Sequence, residues 1–271
     1  EPINVTLANV IVAGAPRTFT YSVTIIDPAV ADPARTPLTI TGPTQPPRNQ
    51  VSSYRVNDIP NAVGYQWRTS KLSAFELTDG AEAGVGNFDA VVGGYDPASN
   101  NLAATGMSSF RLTTGQTGGV AGSGPQTLTL KRTLVPNVNS QLTFQTRANG
   151  LANVAAVVEL SPDDGASWTV VYTEQATADT AWNARTVALG AFAGQHVRLR
   201  FRVQNAGTGA TACCFSEGWY VDDIALRNLQ AADAPSLSMQ STDPAFAFTP
   251  TEEAEFDIDV RAQFSGSGFG A

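Results

Sequence analysis

Two adjacent carboxylates stand within an apolar stretch near the end of the chain. The stretch, residues 218–226, reads Gly-Trp-Tyr-Val-Asp-Asp-Ile-Ala-Leu, with Asp222 and Asp223 at its centre. Because Val221 and Ile224 are three residues apart, a regular strand cannot bury both on one face, and the spacing predicts a β-bulge. Burying carboxylates is costly unless a cation or strong donors satisfy them, and calcium prefers carboxylate and carbonyl oxygens. Asp222 and Asp223 are therefore candidate calcium ligands.

A stripe of arginines forms a second candidate site. Between residues 196 and 203 apolar and polar residues alternate, which places Arg198, Arg200 and Arg202 together on one face of a strand. Such a stripe can hold an anionic ligand such as an acidic sugar, so Arg198 and Arg200 are candidate ligand-binding residues. The alternative is that the arginines lie on a solvated face and pair with neighbouring carboxylates.

One tryptophan is a candidate for stacking on a sugar. Trp182 lies in the polar sequence Asp-Thr-Ala-Trp-Asn, residues 179–183, which indicates a loop. The alternative is that Trp182 is buried, because large aromatic side chains contribute most to apolar cores.

Cys213 and Cys214 are adjacent in the loop predicted before the acidic strand. Adjacent cysteines either close a strained eight-membered ring or remain two thiols. A secreted setting favours oxidation, so we expect a Cys213–Cys214 disulfide with a rigidifying rather than a catalytic role. With one histidine, His196, the chain offers little for zinc or for a Ser/His or Cys/His catalytic set.

Composition excludes several classes of partner. Charged residues make up 15% of the 271 residues, below the ~25% of ordinary soluble domains, and the formal net charge is −8. No basic run exists, which disfavours nucleic acid and anionic membrane surfaces as partners. No apolar stretch approaches the ~20 residues that span a bilayer. The chain opens with Glu-Pro and has no signal-type segment, so we expect a processed or excised piece of a longer protein.

Short alternating runs between turn residues predict strands along most of the chain and almost no helix. Examples are residues 126–130, 141–146, 155–160 and 255–260. Many such runs without intervening helices are typical of antiparallel sheets packed as a sandwich. We therefore predict an all-β fold, an antiparallel β-sandwich.

The domain boundaries follow from the distribution of these runs. Residues 72–230 are long enough to bury a core of their own, whereas residues 1–50 hold strands and a Pro-rich connector, and 265–271 a flexible tail. Neither 51–71 nor 236–264 has enough strands for independent stability. We expect these two flanks to pair as a small immunoglobulin-like sandwich into which the central domain is inserted. The alternative is that the flanks are incomplete pieces of neighbouring domains.

Four motifs in the central segment resemble a known family. Residues 161–168 match the Asp-box hairpin, Ser-x-Asp-x-Gly-x-Ser-Trp, in a single copy, which predicts a well-made turn and not a propeller. Together with the motifs at 75–80, 198–201 and 218–226, they resemble the MAM-like, concanavalin-type jelly roll. That module is an accessory domain of bacterial secreted peptidases and surface proteins.

The resemblance covers about residues 72–230 and implies a structural calcium. In such jelly rolls an acidic residue of the first strand and an aspartate of the last hold the ion. By position, these are Glu76 and one of Asp222 or Asp223, with Asp79 as a further candidate. The alternative is that the carboxylates accept backbone N–H groups without a metal.

The resulting expectation is a non-catalytic binding or adhesion module of a secreted or cell-surface bacterial protein. Its partners would be a polysaccharide or an extracellular protein, together with other domains of the parent chain. One alternative is a jelly-roll glycosidase, which needs two carboxyls facing across a cleft, or a lyase. A lyase would favour a Tyr, His or Lys base beside cationic groups, for which His196 and Tyr220 are candidates. A purely structural spacer is the other alternative.

Overall fold

The computed structural model describes most of the chain. The described residues are 2–12, 15–24, 39–60, 62–93, 95–112, 125–149, 155–174, 181–203, 218–234, 236–237 and 242–264, with only the backbone described at 2–24 and 236–237. Apart from a 3-10 helix at Gly190–Phe192, their regular structure is all strand. The strands are β1 Pro2–Val12, β2 Ala15–Thr24, β3 Ile40–Thr41, β4 Ser52–Val56, β5 Ala62–Asp79, β6 Phe88–Val91, β7 Ala98–Ser99, β8 Ser109–Leu112, β9 Gln126–Leu130, β10 Thr133–Asn149, β11 Ala156–Ser161, β12 Thr169–Glu174, β13 Asn183–Ala188, β14 Arg198–Val203, β15 Gly218–Ala232, β16 Ser236–Leu237, β17 Ala245–Phe248 and β18 Glu255–Phe264.

The chain divides into two units. One comprises Glu1–Thr69, Ser236–Glu253 and Ile258–Ala271, and the other comprises Ser70–Pro235 and Ala254–Asp257. Within the described residues, no helix is long and apolar enough to cross a membrane.

The larger unit is a sandwich of two antiparallel sheets. Its larger sheet runs β13-β10-β15-β5, with β8 also paired to β15 and β7 to β8. Its smaller sheet runs β12-β11-β14-β9-β6. Alternate residues of both sheets point into one shared core, whose most buried large members include Phe110, Leu128, Leu142, Phe201 and Trp219. The predicted all-β, antiparallel sandwich is confirmed.

The first and last strands of the larger unit lie side by side. β5 pairs with β15, and Asp79 lies opposite Ile224. The predicted bulge is also confirmed, because the register between β10 and β15 shifts by one residue where Asp222 is followed by Asp223. Asp223 has a φ of 48°, in the left-handed region that one type of β-bulge uses. The bulge lets both Val221 and Ile224 point into the core.

The predicted hairpin between β11 and β12 is formed as its sequence requires. Asp163 accepts hydrogen bonds from the Ser167 backbone N–H and from the Ser161 and Ser167 hydroxyls. Gly165 takes a φ of 96°, which favours glycine, and the Trp168 indole donates to the Gly165 carbonyl. The bonds from Ser167 and Ser161 lower the pKa of Asp163 to about 2.

The smaller unit contains a second apolar core, to which both flanks of the central segment contribute. β4 pairs with β17 and β3, while the beginning of β5 pairs with β16. Trp67 of β5 is 1% exposed and stacks on Phe246 of β17, with ring centroids 5.2 Å apart. Tyr54, Val56, Val260 and Ala262 complete the core from β4 and β18. Residues on the two sides of the central segment thus bury one another, and the immunoglobulin-like topology stays a prediction.

Replacing Trp67 by Ala should destabilise the smaller unit by about 3–5 kcal/mol, because the change empties the centre of its core. Urea unfolding followed by circular dichroism measures the loss. Val51→Ala is the matched control, since Val51 is 72% exposed. Equal stability of the two variants would show that the flanks do not form a common core.

Candidate functional site

Four large side chains form a row on the outer face of the larger sheet, the face turned away from the core. Tyr220 lies directly opposite Arg111 of β8 on one side and Arg147 of β10 on the other. Directly opposed residues of antiparallel strands point to the same face, and the neighbouring Trp219 points into the core. Trp182 precedes β13, and its ring lies 6.4 Å from that of Tyr220. We call Arg111, Tyr220, Arg147 and Trp182 the outer row.

Burial and charge distinguish the outer row from an ordinary surface. Arg111 and Arg147 are 7% and 8% exposed, and Tyr220 is fully buried. The Arg111 guanidinium lies 5.7 Å from the centroid of the Tyr220 ring, within cation–π range. Burial raises the pKa of Tyr220 above 10, although the charges of Arg111 and Arg147 oppose it. The phenol is therefore protonated at neutral pH.

Beside the outer row lies a strip of small and polar side chains. Gln145 and Thr143 of β10 lie opposite Ala184 and Thr186 of β13, and all four alternate with residues that point into the core. Trp182 is half-buried at the end of this strip. The strip thus places amide and hydroxyl groups beside one aromatic ring.

Asp222, also on this outer face, is fully buried. One of its carboxylate oxygens accepts the backbone N–H groups of Ala104 and Thr105, at 2.7 and 3.2 Å, and the other accepts that of Asp223 at 2.7 Å. Burial raises the pKa of Asp222, with these N–H groups opposing it. Asp223 accepts the Thr105 hydroxyl at 2.6 Å. Backbone N–H groups and a hydroxyl group thus donate hydrogen bonds to the two carboxylates, Asp222 and Asp223, that the sequence predicts as calcium ligands.

The other two predicted calcium ligands lie apart from each other. Asp79 is buried and accepts the Ala81 backbone N–H and the Asn87 side-chain amide, at 2.9 and 2.8 Å. Glu76 is exposed, three residues earlier on β5 and therefore on the opposite face from Asp79. Among the described residues, no three His, Cys, Asp or Glu side chains are grouped so as to hold a metal ion.

The contacts of Asp79, Asp222 and Asp223 are those of the hydrogen-bonded alternative. Calcium stays a prediction that no observation has tested. Cys213 and Cys214 lie outside the described residues.

The arginine stripe on β14 lies on the outer face of the smaller sheet, and its guanidinium groups are paired. Glu159 of β11 accepts Arg200 Nε at 2.7 Å and Arg202 Nη2 at 2.7 Å. Burial alone would raise the pKa of Glu159, but the bonds from Arg202 and Arg200 outweigh it and hold that pKa below 4.5.

Two further contacts hold this stripe. The ring of Trp168 lies 3.8 Å from the Arg200 guanidinium, and Arg198 Nη1 lies 3.3 Å from the exposed Asp164 carboxylate. These are the contacts of the charge-paired alternative, while ligand binding by Arg198 and Arg200 stays a prediction. His196 lies beside Asp257, with Nε2 2.8 Å from its carboxylate.

Sequence reasoning placed Trp182 among the ligand-binding candidates but missed Arg111 and Arg147. Arg111 lies between the apolar residues Phe110 and Leu112, a pattern typical of the outer face of a strand, whereas Arg147 lies between Thr146 and Ala148 and has no such local signal. Their meeting on either side of Tyr220 depends on the pairing of three strands that are distant in sequence.

Neither a protein-family model nor a curated protein matches the chain. Among solved structures, the K3 and K1 adhesin domains of Lys-gingipain from Porphyromonas gingivalis W83 are each 16% identical and each cover 56% of this chain. The matches span 99% and 98% of those domains, with TM-scores of 0.42 and 0.41. TmCBM61, solved in complex with β-1,4-galactotriose, is 15% identical over 56% of this chain and 88% of its own, with a TM-score of 0.29. All three are too distant for their ligands or functions to be transferred to this protein.

The calcium hypothesis and the hydrogen-bonding hypothesis predict different stabilities for two variants in which an acidic residue is replaced by its amide. Asp222→Asn turns an acceptor into a donor that faces backbone N–H groups, so we expect a loss of about 1–3 kcal/mol, while Glu76→Gln should change nothing. Thermal unfolding with and without a calcium chelator completes the test, and we expect no shift in the melting temperature. A calcium site would instead show a fall on chelation and a fall for Glu76→Gln.

Glu159 should be the residue on which the arginine stripe depends for stability. Glu159→Gln leaves two largely buried guanidinium groups without their counter-charge, so we expect a loss of about 3 kcal/mol at neutral pH. Because the folded-state pKa of Glu159 is lowered, this contribution is present above pH 4.5 and is lost as the pH falls through the folded-state value. Urea unfolding across that pH range measures both effects. Asp164→Asn, at an 81% exposed partner, is the control and should be neutral.

Proposed function

We propose that this protein is a non-catalytic carbohydrate-binding module and that it binds its ligand on the outer face of the larger sheet. The observation that carries this proposal is the position of Trp182, half-buried at the end of the polar strip formed by Gln145, Thr143, Ala184 and Thr186. An aromatic ring offers the apolar face on which a sugar stacks, while neighbouring amides and hydroxyls suit its hydroxyl groups.

The burial of charge on this face favours a ligand site over a purely structural spacer. Arg111 and Arg147 are buried on the side of the sheet opposite the apolar core, where packing does not require a charged residue. Desolvating a guanidinium lowers stability, and proteins keep such costs mainly where function needs them. A spacer would be served better by small polar residues at these positions.

A lyase is the alternative that one observation favours, because Tyr220 lies between two arginines as a lyase base would. Burial raises the pKa of Tyr220, which makes its phenolate harder to form and disfavours the role of a base. Incubation with acidic polysaccharides should therefore yield no unsaturated products from the protein or from Tyr220→Phe.

The setting of the module is also part of the proposal. The motifs that resemble MAM-like jelly rolls support a secreted or cell-surface location within a larger bacterial protein. In that setting the module would hold its parent chain on a polysaccharide or, as the second ligand class, on an extracellular glycoprotein.

Trp182→Ala should weaken polysaccharide binding by on the order of 10- to 100-fold, because it removes the stacking surface. Affinity electrophoresis against a panel of plant and bacterial polysaccharides identifies the ligand, and isothermal titration calorimetry gives the affinity. Trp168→Ala is the matched control, since Trp168 is also half-buried but lies on the smaller sheet. Equal binding by both variants, or loss in both, would place the ligand elsewhere.

A further inference from the structure

Arg147 is a buried cation whose hydrogen-bonding groups are not all used. It is 8% exposed, and its Nε and Nη1 atoms are buried without a hydrogen-bond partner in the part of the chain that the structure describes. Nearly all buried polar groups in proteins are hydrogen-bonded, and a buried charge without a partner is strongly destabilising. A guanidinium with unpaired N–H groups is a candidate site for a complementary ligand group.

Among the described residues, the neighbours of Arg147 that face it across β15 add positive charge and do not neutralise it. Arg111 lies on the other side of Tyr220, and both arginines are directly opposite that residue in register. The phenol of Tyr220 is neutral at neutral pH. Asp222, next on this face along β15, already accepts three backbone N–H groups.

We propose that Arg147 is an anion-binding subsite, and that the module binds an acidic saccharide whose carboxylate or sulfate group pairs with the Arg147 guanidinium. This inference rests on the proposed function and names the class of its ligand. Trp182 lies at the same end of the outer face, so a saccharide stacked on Trp182 brings an anionic substituent of the same or the adjacent sugar towards Arg147.

The chemistry of the arginine and of the whole chain supports an oxyanion on a sugar. A guanidinium presents several N–H donors in one plane, which suits the oxygens of a carboxylate or a sulfate. The net charge of −8 repels a polyanion from most of the surface, so attraction is confined to this patch. Discrimination between acidic and neutral saccharides should therefore depend on very few residues.

The test compares three saccharides with one backbone that differ only in charge group, namely a neutral galactan, the same galactan after sulfation and the same galactan after oxidation at C6 to the carboxylate, by calorimetry at low and high salt. We expect Arg147→Gln to weaken binding of at least one acidic saccharide by on the order of 10- to 100-fold and to leave the neutral one unchanged. The saccharide that responds tells carboxylate from sulfate. Arg132→Gln is the control, because Arg132 is exposed, pairs with Asp233 and lies beyond the opposite end of the β10–β15 pair from Arg147, and it should leave all three affinities unchanged.

Thermal unfolding gives a second readout that does not depend on affinity. Removing an unpaired buried charge should leave the melting temperature of free Arg147→Gln equal to or above that of the unchanged protein. At one saccharide concentration, the responding acidic saccharide should raise the melting temperature of the unchanged protein by more than that of Arg147→Gln. A fall in the melting temperature of free Arg147→Gln with saccharide affinities unchanged would show that Arg147 is paired within the chain, and would overturn the inference.

The outcomes separate this inference from the proposed function. If neutral and acidic saccharides bind with equal affinity through Trp182, the anion subsite is refuted and the carbohydrate-binding module stands. If no saccharide binds, both are refuted.

Discussion

The central position of β15 in the larger sheet determines the rest of the larger unit. β15 pairs with β10 along one edge, and with β5 and β8 along the other. Its inward residues, among them Trp219, Val221 and Ile224, supply the middle of the core. Its outward residue Tyr220 therefore has a neighbour on both sides, and those neighbours are two arginines.

The bulge at Asp223 connects the core to the outer face. In a regular strand Val221 and Ile224, three residues apart, would point to opposite faces and one of them would leave the core, but the bulge accommodates the extra residue. With it, Asp222 turns towards the backbone N–H groups of Ala104 and Thr105 and anchors that loop. A carboxylate buried at the bulge thus accepts hydrogen bonds from the chain's own backbone N–H groups.

The buried arginines of the two sheets differ in their hydrogen-bond partners. On the smaller sheet, Glu159 forms hydrogen bonds to both Arg200 and Arg202, and the group is neutralised within the fold. On the larger sheet, Arg147 has unmet donors in the described part of the chain. The paired group around Glu159 stabilises the domain, whereas the unpaired donors of Arg147 can bind a ligand. The sheet with the longer run of basic residues in sequence is therefore the less suitable binding surface.

Periodicity was enough to predict the strands, the bulge and the Asp-box hairpin, because each depends on residues that are close in the chain. The alternation around Val221 and Ile224 and the Ser-x-Asp-x-Gly-x-Ser-Trp spacing are local patterns with one physical solution each. Which charges meet could not be read in this way. Glu159 lies 41 and 43 residues before Arg200 and Arg202, and Arg147 lies 73 residues before Tyr220, so their contacts depend on strand order and register. Glu76 was assigned to a metal site by its place in a motif, although its parity on β5 sets it on the other face from Asp79.

The most direct test of the account is to map the ligand surface by NMR, recording amide and indole N–H shifts during titration with the saccharide that binds most tightly. The account predicts that the NMR signals of the Trp182 indole and of the Gln145 and Arg147 backbone amides shift together during the titration. The signal of the Trp168 indole on the smaller sheet should not shift. Movement of the Trp168 indole and the Arg198 and Arg200 amides, with Trp182 unchanged, would contradict it.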